Sequence, residues 1–426
     1  MIKRCLGALA CVSLTLGLGA CSVNPVTGER QLSFMSPEQE LAVGAENYQP
    51  SQQSQGGRYV VDPELGLYVS EVTQKLAAVS DRPGLPYEIV VLNSGVPNAW
   101  ALPGGKMAIN RGLLVELEDE AQMAAVLGHE IVHAAARHGA SQQTRNMILQ
   151  AGVLAAGLAA SQSDSDYAGL AVGAVGVGAM AWQAKYSRSH ELESDHYGIQ
   201  YMAEAGYDPQ AAVELQETFV RLSEGRESGW VDGLFASHPP SQARVEANRE
   251  LARQYSGGVR NKAAFDRAMR QLRKDQPAYE KYQEAQKAAS DKDYDRALTL
   301  VQQAIDQQPK ENLFWELKGQ LLMQQKKPDQ AITAFNRSIS ANPEFFRPLV
   351  YRGLLHKQEG DAEKARADLE ASRNLLPTQL ASYHLGELAQ QRGDRSAAVS
   401  YYQEAASGGG ELGQAAQAKL SQLGAS

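Results

Sequence analysis

The chain has 426 residues, 43% of them hydrophobic and 21% charged, with a formal charge of −8. That length suits two or three domains, each with its own core. The acidic balance, with no Lys/Arg block to offset it, argues against a nucleic-acid binder.

The first element is "MIKRCLGALACVSLTLGLGAC". Lys3 and Arg4 precede an apolar run from Cys5 to Leu18 that is too short to span a bilayer, so residues 1–20 read as a secretory signal. All three cysteines, Cys5, Cys11 and Cys21, lie in this stretch, a pattern of processing rather than of disulfides. Leu-Gly-Ala-Cys resembles a bacterial lipobox, which implies cleavage before Cys21 and acylation of its sulfur. Several acyl chains on that one residue would anchor the mature protein, since a single chain holds only marginally. Ser22 follows the anchor, and by resemblance to sorted lipoproteins this favours the outer membrane of a Gram-negative bacterium, facing the periplasm.

Residues 21–60 form a polar lead-in ending in the Gln/Ser/Gly cluster "QPSQQSQGG". Inside it, Ser36, Pro37 and Gln39 make a capping box that opens a helix. Asp62 and Pro63 open a second helix, whose apolar residues fall at helical spacing. "PYEIVVLNS" and "NAWALPGGKMAIN" read as short strands broken by Pro and Gly. The next helix is expected from Asp119 to His138 and contains "HEIVH". His129 and His133, four apart, share one helical face and can turn two ring nitrogens towards one ion. Glu130 is rotated about 100° from His129, within reach of a water but off the ligand face.

Residues 147–182 hold two Gly/Ala-rich apolar runs, each short of the ~20 residues that cross a membrane. They read as a buried helical hairpin, with contact to a membrane surface or a partner as the alternative. In "YSRSHELESDHYG", Glu191 and Asp195 share a helical face, so Glu191 can be a third ligand while Asp195 accepts a hydrogen bond from a ligating histidine. His138, His190 and His196 fall off the ligand face in this reading. A charged helical segment, 256–275, links the front domain to the last third.

That last third is periodic. Pro309, Pro343 and Pro377 are spaced by 34, as are Ala285, Gly319 and Gly353, with Gly386 33 further on. Ala297, Ala331, Ala365 and Ala398 follow the same rhythm. Small residues where helices cross and a proline after each second helix match the tetratricopeptide repeat. Residues 276–412 therefore read as four helix pairs with a capping end, inside a repeat domain of 276–426.

"HEIVH", "SRSHELESD" and "SHPPSQAR", in that order, resemble the HtpX and CAAX-prenyl-endopeptidase family of gluzincin metallopeptidases. "NPVTGERQLSFMSPEQE", "AGYDPQAAVE" and the repeats are similar to its periplasmic branch, the β-barrel assembly-enhancing proteases. The resemblance implies a mainly α chain: a zincin-type metallopeptidase domain at 61–255, with a small β-sheet, and then an α-solenoid. It implies one Zn2+ per chain on His129, His133 and Glu191, with Glu130 as general base. Asn98, Ala99, Trp100 and Ala101 match the family's strand before the active-site helix, an edge on which an extended peptide can pair. His238 and Arg244 match positions near the metal, and either can stabilise the oxyanion. Alternatively, His238 fills the open zinc position and inhibits, or "HPP" is a simple turn.

The function implied is endoproteolysis of misassembled outer-membrane proteins, with the repeats docking substrate or the β-barrel assembly machinery. The rival is a lipid-anchored repeat scaffold or chaperone with a latent protease.

Overall fold

The computed structural model describes residues 21–161, 186–225 and 233–425. The signal at 1–20 and the second apolar run of 147–182 lie outside the described residues; the first run is helical, but Met147, Ile148 and Leu149 at its start are exposed rather than buried. The chain forms two compact units. One holds the chain up to Tyr48, Glu64–Val91 and Val96–Ala268, and the other holds Gln49–Pro63, Leu92–Gly95 and Met269–Ser426.

In the first unit, β1 (Cys21–Val23) and β2 (Arg30–Leu32) pair antiparallel, Val23 opposite Arg30. Helix α1 (Pro37–Ser54) opens on the expected capping box: Gln39 N–H donates to Ser36 Oγ and Ser36 N–H to Gln39 Oε1. α1 continues through "QPSQQS", part of the Gln/Ser/Gly cluster of the polar lead-in. Helix α2 (Pro63–Ala77) buries Leu65, Val69, Val72 and Leu76 along one stripe. Strands β3 (Glu88–Leu92), β4 (Ala99–Leu102) and β5 (Lys106–Asn110) make a sheet in the order β3-β5-β4. β4 therefore stands at an edge, antiparallel to β5 with Ala99 opposite Ile109. After the single turn α3 (Arg111–Leu114) comes α4 (Glu120–Ala135), every residue of which is buried.

α4 stops three residues before the expected end. Ala136 caps it and Arg137 takes the left-handed conformation, φ 62°, before α5 (His138–Ser161) starts. The corner is held by the Arg137 side chain, which donates to Glu40 Oε2 at 3.0 Å and to the Met35 carbonyl at 2.6 Å. Helices α6 (Arg188–Glu204), α7 (Gln210–Gly225), α8 (Leu234–Ser237), α9 (Gln242–Ala252) and α10 (Lys262–Ala268) complete this unit. Among the described residues no helix is long and apolar enough to cross a membrane.

The second unit is a run of helix pairs: α11 (Arg270–Ser290) with α12 (Tyr294–Gln307), α13 (Asn312–Gln324) with α14 (Pro328–Ala341), α15 (Phe346–Gln358) with α16 (Ala362–Leu375), and α17 (Gln379–Gln391) with α18 (Arg395–Ser407). α19 (Gly410–Gln422) closes the series, burying Ala416 and Leu420 in one cluster with Tyr402. The 34-residue rhythm has a steric cause. A Cβ on Gly319 would lie 2.5 Å from the Phe335 ring, and one on Gly386 2.7 Å from Tyr402, so each crossing needs a residue without bulk. Ala297, Ala331, Ala365 and Ala398 are all fully buried. The first pair begins at Arg270, six residues ahead of 276, and α11 carries Pro277 inside it.

Candidate metal centre

The centre is built where α4 crosses α6. Asp119 caps α4 by accepting from Gln122 N–H, and Ser187 caps α6 by accepting from His190 N–H. At the crossing Gly128 meets Gly198. A Cβ on Gly128 would stand 3.0 Å from the Gly198 carbonyl oxygen, and one on Gly198 would stand 3.0 Å from His129 N. The two backbones therefore approach closely enough for carboxylates on α6 to reach histidines on α4.

They do reach them. His129 Nε2 and His133 Nε2 are 3.0 Å apart, and Glu191 puts Oε2 3.5 Å from the first and Oε1 3.4 Å from the second. With His238 included, the four potential ligand atoms lie within 4.8 Å of one another, all on buried residues. Donors arranged tetrahedrally at 2.0–2.1 Å from one ion are about 3.3 Å apart. Two imidazoles and a carboxylate at that spacing fit a metal ion.

Behind these groups stand the residues that aim them. Asp195 Oδ1 lies 2.9 Å from His129 Nδ1, leaving Nε2 for the centre. Arg244, on α9, holds Asp195 with two bonds of 2.7 Å, from Nε and from Nη2, and its Nη1 is 3.0 Å from Glu191 Oε2. Every arm of that guanidinium is thus engaged with a carboxylate or, through Nη1, also with the Pro239 carbonyl at 3.2 Å. His133 Nδ1 faces His138 Nδ1 at 3.0 Å, and Tyr186 stacks on the His133 ring with centroids 3.9 Å apart. His138 is no ligand, but it touches one. The left-handed Arg137 redirects it, which uninterrupted helical spacing does not foresee.

His238 caps the C-terminus of α8 and points its ring into the cluster. Its Nδ1 is 3.0 Å from Glu191 Oε1 and 3.3 Å from His129 Nε2, while Nε2 is 3.5 Å from Glu130 Oε1. The other Glu130 oxygen, Oε2, is buried without a hydrogen-bond partner. Burial pushes the Glu130 carboxyl above its usual range, against the pull of His238 and His129. Burial opposes charge on His129, yet Glu191 and Asp195 outweigh it and push its pKa up to about 10. Burial holds His133 well below the ordinary histidine value.

Next to Glu130 a pocket opens, lined by Val126, Ile199, Met202, Leu215, Phe219 and Leu234. The loop carrying His238 is tied to the sheet edge, for Leu234 N–H donates to the Pro97 carbonyl at 3.0 Å, directly before Asn98 and β4. The second edge of β4 pairs with no strand among the described residues. Asn98, Ala99 and Ala101 are buried, and Trp100 is half-buried.

Residues 63–252 match the family described as Peptidase family M48, and residues 282–344 match Tetratricopeptide repeat. A protein of Vibrio cholerae is 31% identical over 198 residues, 46% of this chain and 40% of that one. The mitochondrial metalloendopeptidase OMA1 of Schizosaccharomyces pombe is 31% identical over 229 residues, 53% of this chain and 65% of that one. The matched regions thus span less than two thirds of the length of these two relatives. The beta-barrel assembly-enhancing protease of Escherichia coli K12 is 24% identical over 377 residues, 80% of this chain and 76% of that one. Residues 63–252 are thus a Peptidase family M48 domain, and tetratricopeptide repeats follow it in sequence.

Proposed function

We propose that this chain is a zinc-dependent endopeptidase holding one zinc on His129, His133 and Glu191. The observation that carries the reading is the convergence of those three residues beside a buried carboxylate, Glu130, that has an oxygen to spare. Zinc, when bound there, supplies Lewis acidity that polarises a peptide carbonyl and lowers the pKa of a water towards ~7. Glu130 takes the proton as that water attacks and returns it to the leaving amine. An extended substrate pairs along Asn98–Ala101 at the β4 edge, with one apolar side chain in the pocket beside Glu130. Asp195 fixes the His129 ring, and Arg244 fixes Asp195 and Glu191. The test is chelation: the zinc-free protein loses peptide hydrolysis, and one equivalent of zinc restores it. Cleavage that survives removal of the metal sinks the reading.

His238 acts as a fourth donor that holds the resting enzyme off. Its Nδ1 stands among the ligand atoms, which supports this role over that of a simple turn or an oxyanion donor. Because its loop is tied to Pro97, a peptide docking on β4 bears on the same segment. His238→Ala is expected to raise casein cleavage several-fold at equal zinc content. Equal or lower activity would return His238 to an assisting role.

The resemblance of Leu-Gly-Ala-Cys to a lipobox supports a chain anchored through Cys21 on the periplasmic side of the outer membrane. The E. coli relative's name points to clients among outer-membrane barrels in assembly, misassembled ones being those cut. The repeats dock the substrate or the assembly machinery on their surface. A scaffold with a latent protease is the second reading, and the array favours it because repeats add nothing to hydrolysis itself.

A further inference from the structure

The segment "NPVTGERQLSFM", which starts at Asn24, three residues on from Cys21, has no part in the mechanism above. Nevertheless it packs on the corner that aims His138. Asn24 organises the hairpin: its Oδ1 accepts from Val26 N–H at 2.9 Å, its carbonyl from Gly28 N–H at 2.9 Å, and its N–H donates to Glu29 at 2.8 Å. The remaining donor of its side chain, Nδ2, reaches across 169 residues to Glu193 Oε1 at 2.6 Å. Further along, Gln31 Nε2 donates to the Ala136 carbonyl at 3.0 Å, and Met35 and Glu40 hold Arg137. All three contacts fall on the break between α4 and α5.

Beyond that break, His138 is fully buried and stacked on His190, centroids 4.1 Å apart with the rings 11° from parallel. Its two nitrogens have different neighbours. Nδ1 is 3.0 Å from His133 Nδ1 and 3.5 Å from Ser194 Oγ, and Nε2, though not hydrogen-bonded, is 3.2 Å from the same Glu193 oxygen that Asn24 holds. Tautomer arithmetic then leaves one arrangement. A His133 that ligates through Nε2 is neutral and carries its proton on Nδ1. His138 must accept that proton's hydrogen bond on its own Nδ1, so its proton sits on Nε2, facing the Glu193 carboxylate. His129 faces the Asp195 carboxylate directly, whereas on the His133 side a carboxylate, Glu193, lies beyond an intervening imidazole.

We propose that the N-terminal hairpin is a working part of the metal centre: Asn24 holds Glu193, Glu193 fixes the tautomer of His138, and His138 accepts the Nδ1–H of His133. This rests on the zinc reading given above. His138, Glu193 and Asn24 are positioning residues, and residues only a few places from Cys21 set how firmly the ion is held.

The test measures zinc release to a chelating indicator, together with unfolding of the zinc-free protein, for the chain from Ser22 onward. His138→Leu removes the acceptor for His133, whereas the amide oxygen of His138→Gln restores one. The proposal expects release roughly 10–100-fold faster in His138→Leu, the range typical of such supporting partners, and a clearly smaller effect in His138→Gln. Glu193→Leu, at a half-buried position, should speed release with little change in the zinc-free melting temperature, and Asn24→Ala, at a buried one, should speed release beyond what any fall in that temperature accounts for. Nitrogen-15 spectra of the zinc form should put the His138 proton on Nε2. Equal losses in Leu and Gln variants, or a proton on His138 Nδ1, would overturn the relay. Wild-type release rates in Asn24→Ala would remove the hairpin from it. A wild-type protein that binds no zinc would overturn the zinc reading itself, an outcome distinct from the others.

Discussion

Replacing Glu130 with glutamine is expected to lower peptide hydrolysis by roughly 10²–10⁴-fold, the range of a general acid–base contribution, with zinc content unchanged. The substitution keeps the shape of the side chain and its place on α4. It keeps an oxygen able to face His238 Nε2, which lies 3.5 Å from Oε1. What it removes is the capacity to take a proton and give it back. Glu130 is buried and lies outside the ligand cluster, which His129, His133, Glu191 and His238 form. The measurement is kcat/KM on a casein-derived peptide beside metal content for the same preparation. Activity within tenfold of wild type, at one zinc per chain, would show that another group moves the proton.

Replacing Arg244 with leucine is expected to destabilise the zinc-free protein by about 3–5 kcal/mol, the usual cost of removing one partner from a buried ion pair. Arg244 is 4% exposed, Asp195 7% and Glu191 1%, so the variant leaves two carboxylates in the interior without their cation. Urea unfolding of wild type, Arg244→Leu and Arg244→Lys separates the roles. Lysine keeps the charge but cannot make the two parallel bonds to Asp195, and it should recover only part of the loss. Were Arg244 instead an oxyanion donor, Arg244→Lys would unfold at the wild-type urea concentration while kcat fell. A loss of stability in both variants, graded Leu beyond Lys, is the signature of a residue that positions the ligands.

The clustering of the candidate ligands was legible in sequence because its geometry is local to helices. Four-residue spacing brings His129 and His133 to one face, and the same spacing relates Glu191 to Asp195. The repeats were legible for a similar reason, since each crossing repeats one steric demand at Gly319, Gly353 and Gly386. What escaped depended on contacts between distant segments. His138 reads as turned away if α4 is continued through it, and only the left-handed Arg137, held by Glu40 and Met35, brings it to His133. Tyr186 opens the stretch "YSRSHELESDHYG" without spacing that would mark it, and declares itself only by stacking. "QPSQQS" reads only as part of a polar lead-in because its residues are polar. In the folded chain Gln53 is buried and donates to the Glu344 carbonyl at 2.6 Å while accepting from Phe346 N–H at 3.0 Å.

The second unit is assembled from three separate stretches of sequence, and that has a practical corollary for anyone dividing the molecule. Gln49–Pro63 supplies Gln53, whose amide ties down the start of α15, and Leu92–Gly95 supplies Asn93, which donates to the buried Glu311 at 2.7 Å. A fragment beginning at Met269 carries every repeat yet omits both. Its α15 would begin without a tether, and Glu311 would keep Tyr279 and Leu313 N–H but lose its amide donor. The repeat boundary and the folding boundary are therefore different places on the chain, and a pull-down with the isolated repeats would sample an incomplete surface.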